Sequence, residues 1–181
     1  MATSIESDLH RAIRWSVALS VFLMIAGLLA VMAPFIAGLA YTLVVGWMLI
    51  VSGVLHLVFA WRAERARMVV GQVLLGLLYG FIGIYVLYNP IAGLAGLTFA
   101  IAVYLLLEGI LEFVLAAQLR PAQGTGWLIF DGIITVLLAF MIWSTWPFSA
   151  AWALGVLVGA SMFFGGLTRL MLSLAVRRVP A

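Results

Sequence analysis

Residues 34–61 read PFIAGLAYTLVVGWMLIVSGVLHLVFAW, and the stretch contains no Asp, Glu, Lys or Arg. A helix crosses a hydrocarbon core of about 30 Å with roughly 20 apolar residues, so the run over 36–61 is long enough to span a bilayer. Five more runs of the same kind cover residues 15–33, 68–88, 91–119, 127–146 and 149–176. Lipid offers no partner to backbone N–H and C=O groups, so such a run is either a helix or a strand of a closed barrel. None of the six alternates polar and apolar residues as a barrel strand does. The expectation is an all-α, polytopic membrane protein of six transmembrane helices.

Composition points the same way. Of 181 residues, 67% are hydrophobic and only 8% charged, against about a quarter charged in a soluble domain; the mean hydropathy is +1.29. The partner implied is the lipid bilayer. The absence of Cys removes disulfides, thiolate metal sites and Cys nucleophiles. A net charge of +3 spread over short connections orients a chain in a membrane rather than gripping nucleic acid.

All nine basic residues are Arg, and eight of them share one side. Arg11 and Arg14 precede the first run, Arg62, Arg65 and Arg67 lie between the second and third, Arg120 follows the fourth, and Arg177 and Arg178 follow the sixth. The other connections, around Pro34, Asn89-Pro90 and Trp146-Pro147, carry no charge. By the positive-inside rule both termini are cytoplasmic and the Pro turns face outward. The first run is longer than the 7–15 apolar residues of a signal h-region and ends in Ala33-Pro34, so it reads as a retained span.

The Pro turns also expose an internal repeat. With Pro34, Pro90 and Pro147 aligned, a Gly follows nineteen residues later each time, at Gly53, Gly109 and Gly166, and three residues further stand His56, Glu112 and Arg169. Gly27 and Gly83 precede their Pro by seven residues, with Ala139 eight before Pro147. A period of about 56 residues describes a helical hairpin repeated three times, over 12–67, 68–124 and 125–178, within one membrane domain. Small residues let membrane helices approach closely, which makes Gly27, Gly53, Gly83, Gly109 and Gly166 packing positions. Gly76-x-x-x-Gly80 and Gly155-x-x-x-Gly159 join them, and these small faces on the third and sixth helices suit assembly into a homo-oligomer.

Five ionisable residues fall at membrane depth: His56, Glu108, Glu112, Asp131 and Arg169. Such groups are costly, by about 2.5–3.5 kcal/mol each on insertion scales, and mark function or a paired partner. Counted from the Arg-bearing ends, all five lie in the cytoplasmic half, which predicts one polar cluster. Glu108 and Glu112 share a helix face. Three acids against one permanent cation require at least one protonated carboxyl or a charged His56, and the expected pair is Arg169 with Glu112. Competing structural readings are an Arg–Glu pair that only pins helices, a hydrogen-bonded packing His56, and an Asp131 that satisfies free N–H groups in an opening helical turn. No metal or cofactor is expected, since one His with scattered carboxylates lacks ligand spacing. No nucleophile elbow, Walker loop or H-E-x-x-H appears, and the connections are too short for an extramembrane active site, so an enzyme is not expected.

Gly27-Leu-Leu-Ala-Val-Met-Ala-Pro34, Gly83-Ile-Tyr-Val-Leu-Tyr-Asn-Pro90, the later Gly-x-x-polar steps and Asp131-Gly132 together resemble the HdeD-type acid-resistance membrane proteins of bacteria. The resemblance covers residues 11–178. It implies a multi-pass inner-membrane protein associated with survival of acid stress, and it supplies no catalytic residues. With the ionisable residues it leads to the expectation of a non-enzymatic, proton-linked protein. The alternatives are a small-solute or ion channel or transporter, and a structural membrane scaffold. Three repeats of two helices share one orientation and keep Pro in turns, which disfavours a rocking carrier built on inverted repeats and broken helices.

Overall fold

A computed structural model describes residues 2–62, 66–119 and 125–177; Arg65, Arg120 and Arg178 lie outside them. Six long helices follow one another: α1 (Ala2–Met32), α2 (Pro34–Arg62), α3 (Ala66–Tyr88), α4 (Pro90–Gln118), α5 (Thr125–Ser144) and α6 (Ala153–Arg177). All six contain a segment long and apolar enough to cross a membrane. Pro34 and Pro90 open α2 and α4, where the missing N–H costs nothing and the fixed φ suits a first turn.

Three boundaries differ from the apolar runs. Helix α1 begins well before Trp15, at Ala2, because its polar residues are still compatible with a helix outside the apolar segment. Helix α5 begins at Thr125 and ends at Ser144. The sixth run divides into a short 3-10 turn, Phe148–Ala151, followed by α6. The extra residue of the third repeat lies ahead of this break, between Ala139 and Pro147.

The closest helix pairs are α2 with α3, α4 with α5, and α6 with α1. Helices joined by a Pro turn, α1 with α2 and α3 with α4, touch much less. The packing unit thus lies across the Arg-bearing connections and closes between the last helix and the first, although the sequence period is that of a hairpin. The even helices α2, α4 and α6 also touch one another, whereas each odd helix packs mainly on its even partner.

Small residues at seven-residue intervals build each close pair. Those on the even helices are Gly46, Gly53 and Ala60, then Ala102, Gly109 and Ala116, then Gly159, Gly166 and Ser173, all buried. Gly83 faces Gly46 and Gly27 faces Gly159 so closely that an added Cβ would stand 2.8 Å and 2.6 Å from the opposing carbonyl oxygens. The equivalent positions between α4 and α5 hold Ala102 and Ala139, both buried. One level further, Gly53 packs across Gly76 and Gly80, Gly109 across Gly132, and Gly166 across Ser20. Lipid tails are as apolar as Leu, so contact between bare backbones supplies attraction that hydrophobicity cannot.

At the Pro end the even helices converge. Leu94 and Leu154 are fully buried there, with Leu94 Cδ1 3.1 Å and Gly155 N 3.3 Å from the place a Gly38 Cβ would take. Gly155 itself sits directly against the Pro34 backbone. Thr42 and Thr98 donate their hydroxyls to the carbonyls of Gly38 and Leu94, at 2.8 Å each, so neither hydroxyl hydrogen is left open in this apolar junction.

Candidate functional site

The repeat-equivalent residues His56, Glu112 and Arg169 each lie one helical turn after the Gly of an even-helix seam. His56 stands about five turns after Gly38, and Glu112 about five after Leu94, so both extend the helix faces that meet at the Pro end. Their contacts, however, are made within separate helix pairs.

Between α2 and α3, His56 Nδ1 donates to Gln72 Oε1 at 2.5 Å. The imidazole also stands against Tyr79, with ring centroids 5.4 Å apart. A Gln carbonyl oxygen only accepts, so Nδ1 carries the hydrogen in this bond.

Between α4 and α5, the close contact at Gly109 and Gly132 brings two carboxyls together. A Cβ on Gly132 would stand 3.4 Å from Glu112 Cβ, so the carboxyl of Asp131, the residue before Gly132, faces Glu112 from α5. The charges facing Glu112 are Asp131 from α5 and Glu108 from the preceding turn of α4. Glu112 Oε2 is buried without a hydrogen-bond partner. Two carboxyls that face each other at this depth can hydrogen-bond only with a proton between them, since two ionised groups repel and neither can donate.

Between α6 and α1, the seam ends in hydroxyls. Ser16 and Ser173 Oγ atoms are 2.7 Å apart, Ser173 donates to the Arg169 carbonyl at 2.8 Å, and Ser20 donates to the Ser16 carbonyl at 2.8 Å. The Arg169 side chain is exposed.

The expected single cluster is corrected accordingly. Asp131 and Glu108 are the charges that face Glu112, while His56 and Arg169 are absent from them. Equal places in three repeats point into three different seams, so equal depth does not bring them into contact. Asp131 is the seventh residue of α5, beyond the first turn, and meets Glu112 instead of free N–H groups. Among the described residues no three His, Asp or Glu side chains converge as a metal site would require.

The packing residues read from the sequence also take definite places. Gly27 meets Gly159, Gly53 meets Gly76 and the Gly80 backbone, Gly83 meets Gly46, Gly109 meets Gly132, Gly166 meets Ser20, and Gly155 meets Pro34. Gly80's own Cβ direction is open. Sequence reading missed Gly46 as a contact, and it missed Gln72, Tyr79, Ser16 and Ser173. Gln72 and the serines are neutral, so a search for ionisable groups passes over them. The seven-residue recurrence of small and hydroxyl residues would have found Gly46 and Ser173.

A family model described as a short repeat of unknown function, DUF308, matches residues 18–87 and again 74–144. The chain belongs to this HdeD-type family. Its two matches are offset by 56 residues at their starts and 57 at their ends, the same as the two Pro-to-Pro intervals. The first match includes α2 with all but the last residue of α3, and the second includes α4 with α5. Proteins named Protein HdeD from Escherichia coli K12, Escherichia coli O157:H7 and Shigella flexneri are each 26% identical over 171 residues, covering 90% of this chain and 88% of theirs. No solved structure matches the chain. Six apolar helices and the HdeD-type relatives together make it a multi-pass membrane protein.

Proposed function

We propose that this HdeD-type protein is a non-enzymatic component of bacterial acid resistance, in which the α4–α5 carboxyl layer holds and releases a proton. The observation that carries the reading is the close approach of α4 and α5 at Gly109 and Gly132, which sets Asp131 beside Glu112, with Glu108 as the other facing charge and no cation among them. At acidic pH the shared proton binds the two carboxyls and draws α4 to α5. When it leaves as pH rises, two like charges remain in contact within a medium that stabilises neither, and the pair is forced to loosen. Acid therefore favours the closed seam.

The association with acid stress draws its support from likeness to the HdeD-type proteins. An inner-membrane location with both termini cytoplasmic is part of the proposal, supported by the placement of eight of nine Arg at one set of helix ends. The experiment is a proton count on protein reconstituted in vesicles, made with a pH-indicating dye during a jump from acidic to neutral pH. Wild type is expected to release one proton more than Glu112→Gln. Equal release by the two proteins would contradict the proton-linked reading. In cells that depend on this protein for acid survival, the same variant is expected to lose protection.

A further inference from the structure

The protomer leaves charges of both signs unanswered at one depth. Arg169 is exposed on α6 and makes no ion pair among the described residues. It lies about 12 Å along the helix from Arg177, at ~1.5 Å per residue, well inside the apolar span. Asp131 is exposed on α5, and Glu108 is half-exposed on α4. Glu112 and Arg169 each follow their Pro by 22 residues, and both stand beside equivalent seam contacts, Gly109 with Gly132 and Gly166 with Ser20. A guanidinium on one face and carboxyls on another thus occupy the same level of the membrane, where an unpaired charge is costly. Each apolar span is only 11% to 22% buried within the protomer, so both faces are open to a neighbour.

We propose that a second copy of this chain docks its α6 face on the α4–α5 face, placing Arg169 of one copy against Asp131 and Glu108 of the next. A lipid phosphate is the rival counter-ion for Arg169, but it leaves Asp131 and Glu108 without a cation, whereas a second copy answers both. The two faces are different surfaces of the protomer, so the contact is heterologous, repeated about an axis normal to the membrane. One guanidinium against three carboxyls still leaves negative charge in excess, so a proton at Glu112 and Asp131 is compatible with the assembly.

The first test is the protein mass of the detergent-solubilised chain by light scattering. Wild type is expected at a multiple of the 19.6 kDa protomer, and Arg169→Gln and Asp131→Asn at the protomer mass. Exchange of the charges in one chain, Arg169→Asp with Asp131→Arg, is expected to restore the multiple. Wild type at the protomer mass, with Arg169 answered by lipid, overturns the proposal, as does a multiple unchanged in both single variants. A second test keeps every charge in place and reads native membranes, because a variant that fails to insert would also lose the assembly. The chain has no Cys, so copies carrying Leu172→Cys and copies carrying Trp127→Cys, both exposed positions one turn from the charges, can be co-expressed and oxidised. A cross-linked dimer is expected for that combination and not when Leu77→Cys on α3 replaces Trp127→Cys; equal yields from the two combinations overturn the proposal. Neither readout depends on proton release, so it can fail while the acid-linked reading stands.

Discussion

The α2–α3 and α4–α5 pairs have equivalent seams and different chemistry. Gly53 packs across Gly76 as Gly109 packs across Gly132, yet three residues along, one pair holds His56 and the other Glu112. His56 finds Gln72, a neutral acceptor one turn from Gly76. Glu112 finds Asp131 and Glu108, while the position equivalent to Gln72 is Leu128. The backbone contact can therefore be repeated without repeating the polar residue beside it. Packing in this fold resides in the small-residue levels, and chemistry resides one turn further on.

That separation can be broken at the seam. Gly53→Leu puts a side chain where a Cβ alone would already meet Gly76 O at 2.8 Å. Neither backbone can yield without parting α2 from α3, so the expected cost is at the upper end of overpacking, about 3 kcal/mol. Membrane accumulation and resistance to thermal unfolding in detergent should both fall, and unchanged values would show that the seam does not hold the pair together.

The comparison is sharpened by moving chemistry between seams. Glu112→His with Leu128→Gln gives α4–α5 the polar residues of α2–α3. The protein is expected to fold and insert as wild type does while losing the extra released proton. Retained release in this variant would place the proton elsewhere.

Smaller effects separate hydrogen bonding from packing. Gln72→Leu leaves the His56 N–H without its acceptor, an expected loss of about 1 kcal/mol, measured as denaturant or thermal stability of the purified protein. Gly80→Ala adds a methyl into open space and should stay within about 0.5 kcal/mol of wild type, which separates removal of bulk from mere glycine content. A loss at Gly80 as large as that at Gly53 would erase the distinction.

Six helices and a 56-residue period were legible because the bilayer demands long apolar runs and because turns repeat visibly as Pro. The small residues of the seams were partly legible in Gly53, Gly109 and Gly166, which keep their distance from each Pro. The pairing of helices was not. A membrane helix has similar hydropathy on its lipid-facing and helix-facing sides, so the sequence offers no polar face to tell α3 from α1 as the neighbour of α2. The hairpin suggested by a short Pro turn gave way to contacts across the Arg-bearing connections. The same gap explains the cluster. His56, Glu112 and Arg169 share one place in the repeat, but the choice of neighbouring helix carries them into separate seams. Glu108 and Glu112 could be placed on one face from sequence because four residues on one helix need no knowledge of neighbours. Asp131 was misread as serving a helix end because α5 begins earlier than its apolar run.

The most direct measurement is the infrared absorption of protonated carboxyl groups in reconstituted protein as pH rises from acidic to neutral. A carboxyl band is predicted for wild type that fades over this rise, together with its absence in Glu112→Gln under the same acidic conditions. A band of equal size and pH dependence in the two proteins would contradict the claim that the α4–α5 seam, alone among three alike, holds the proton.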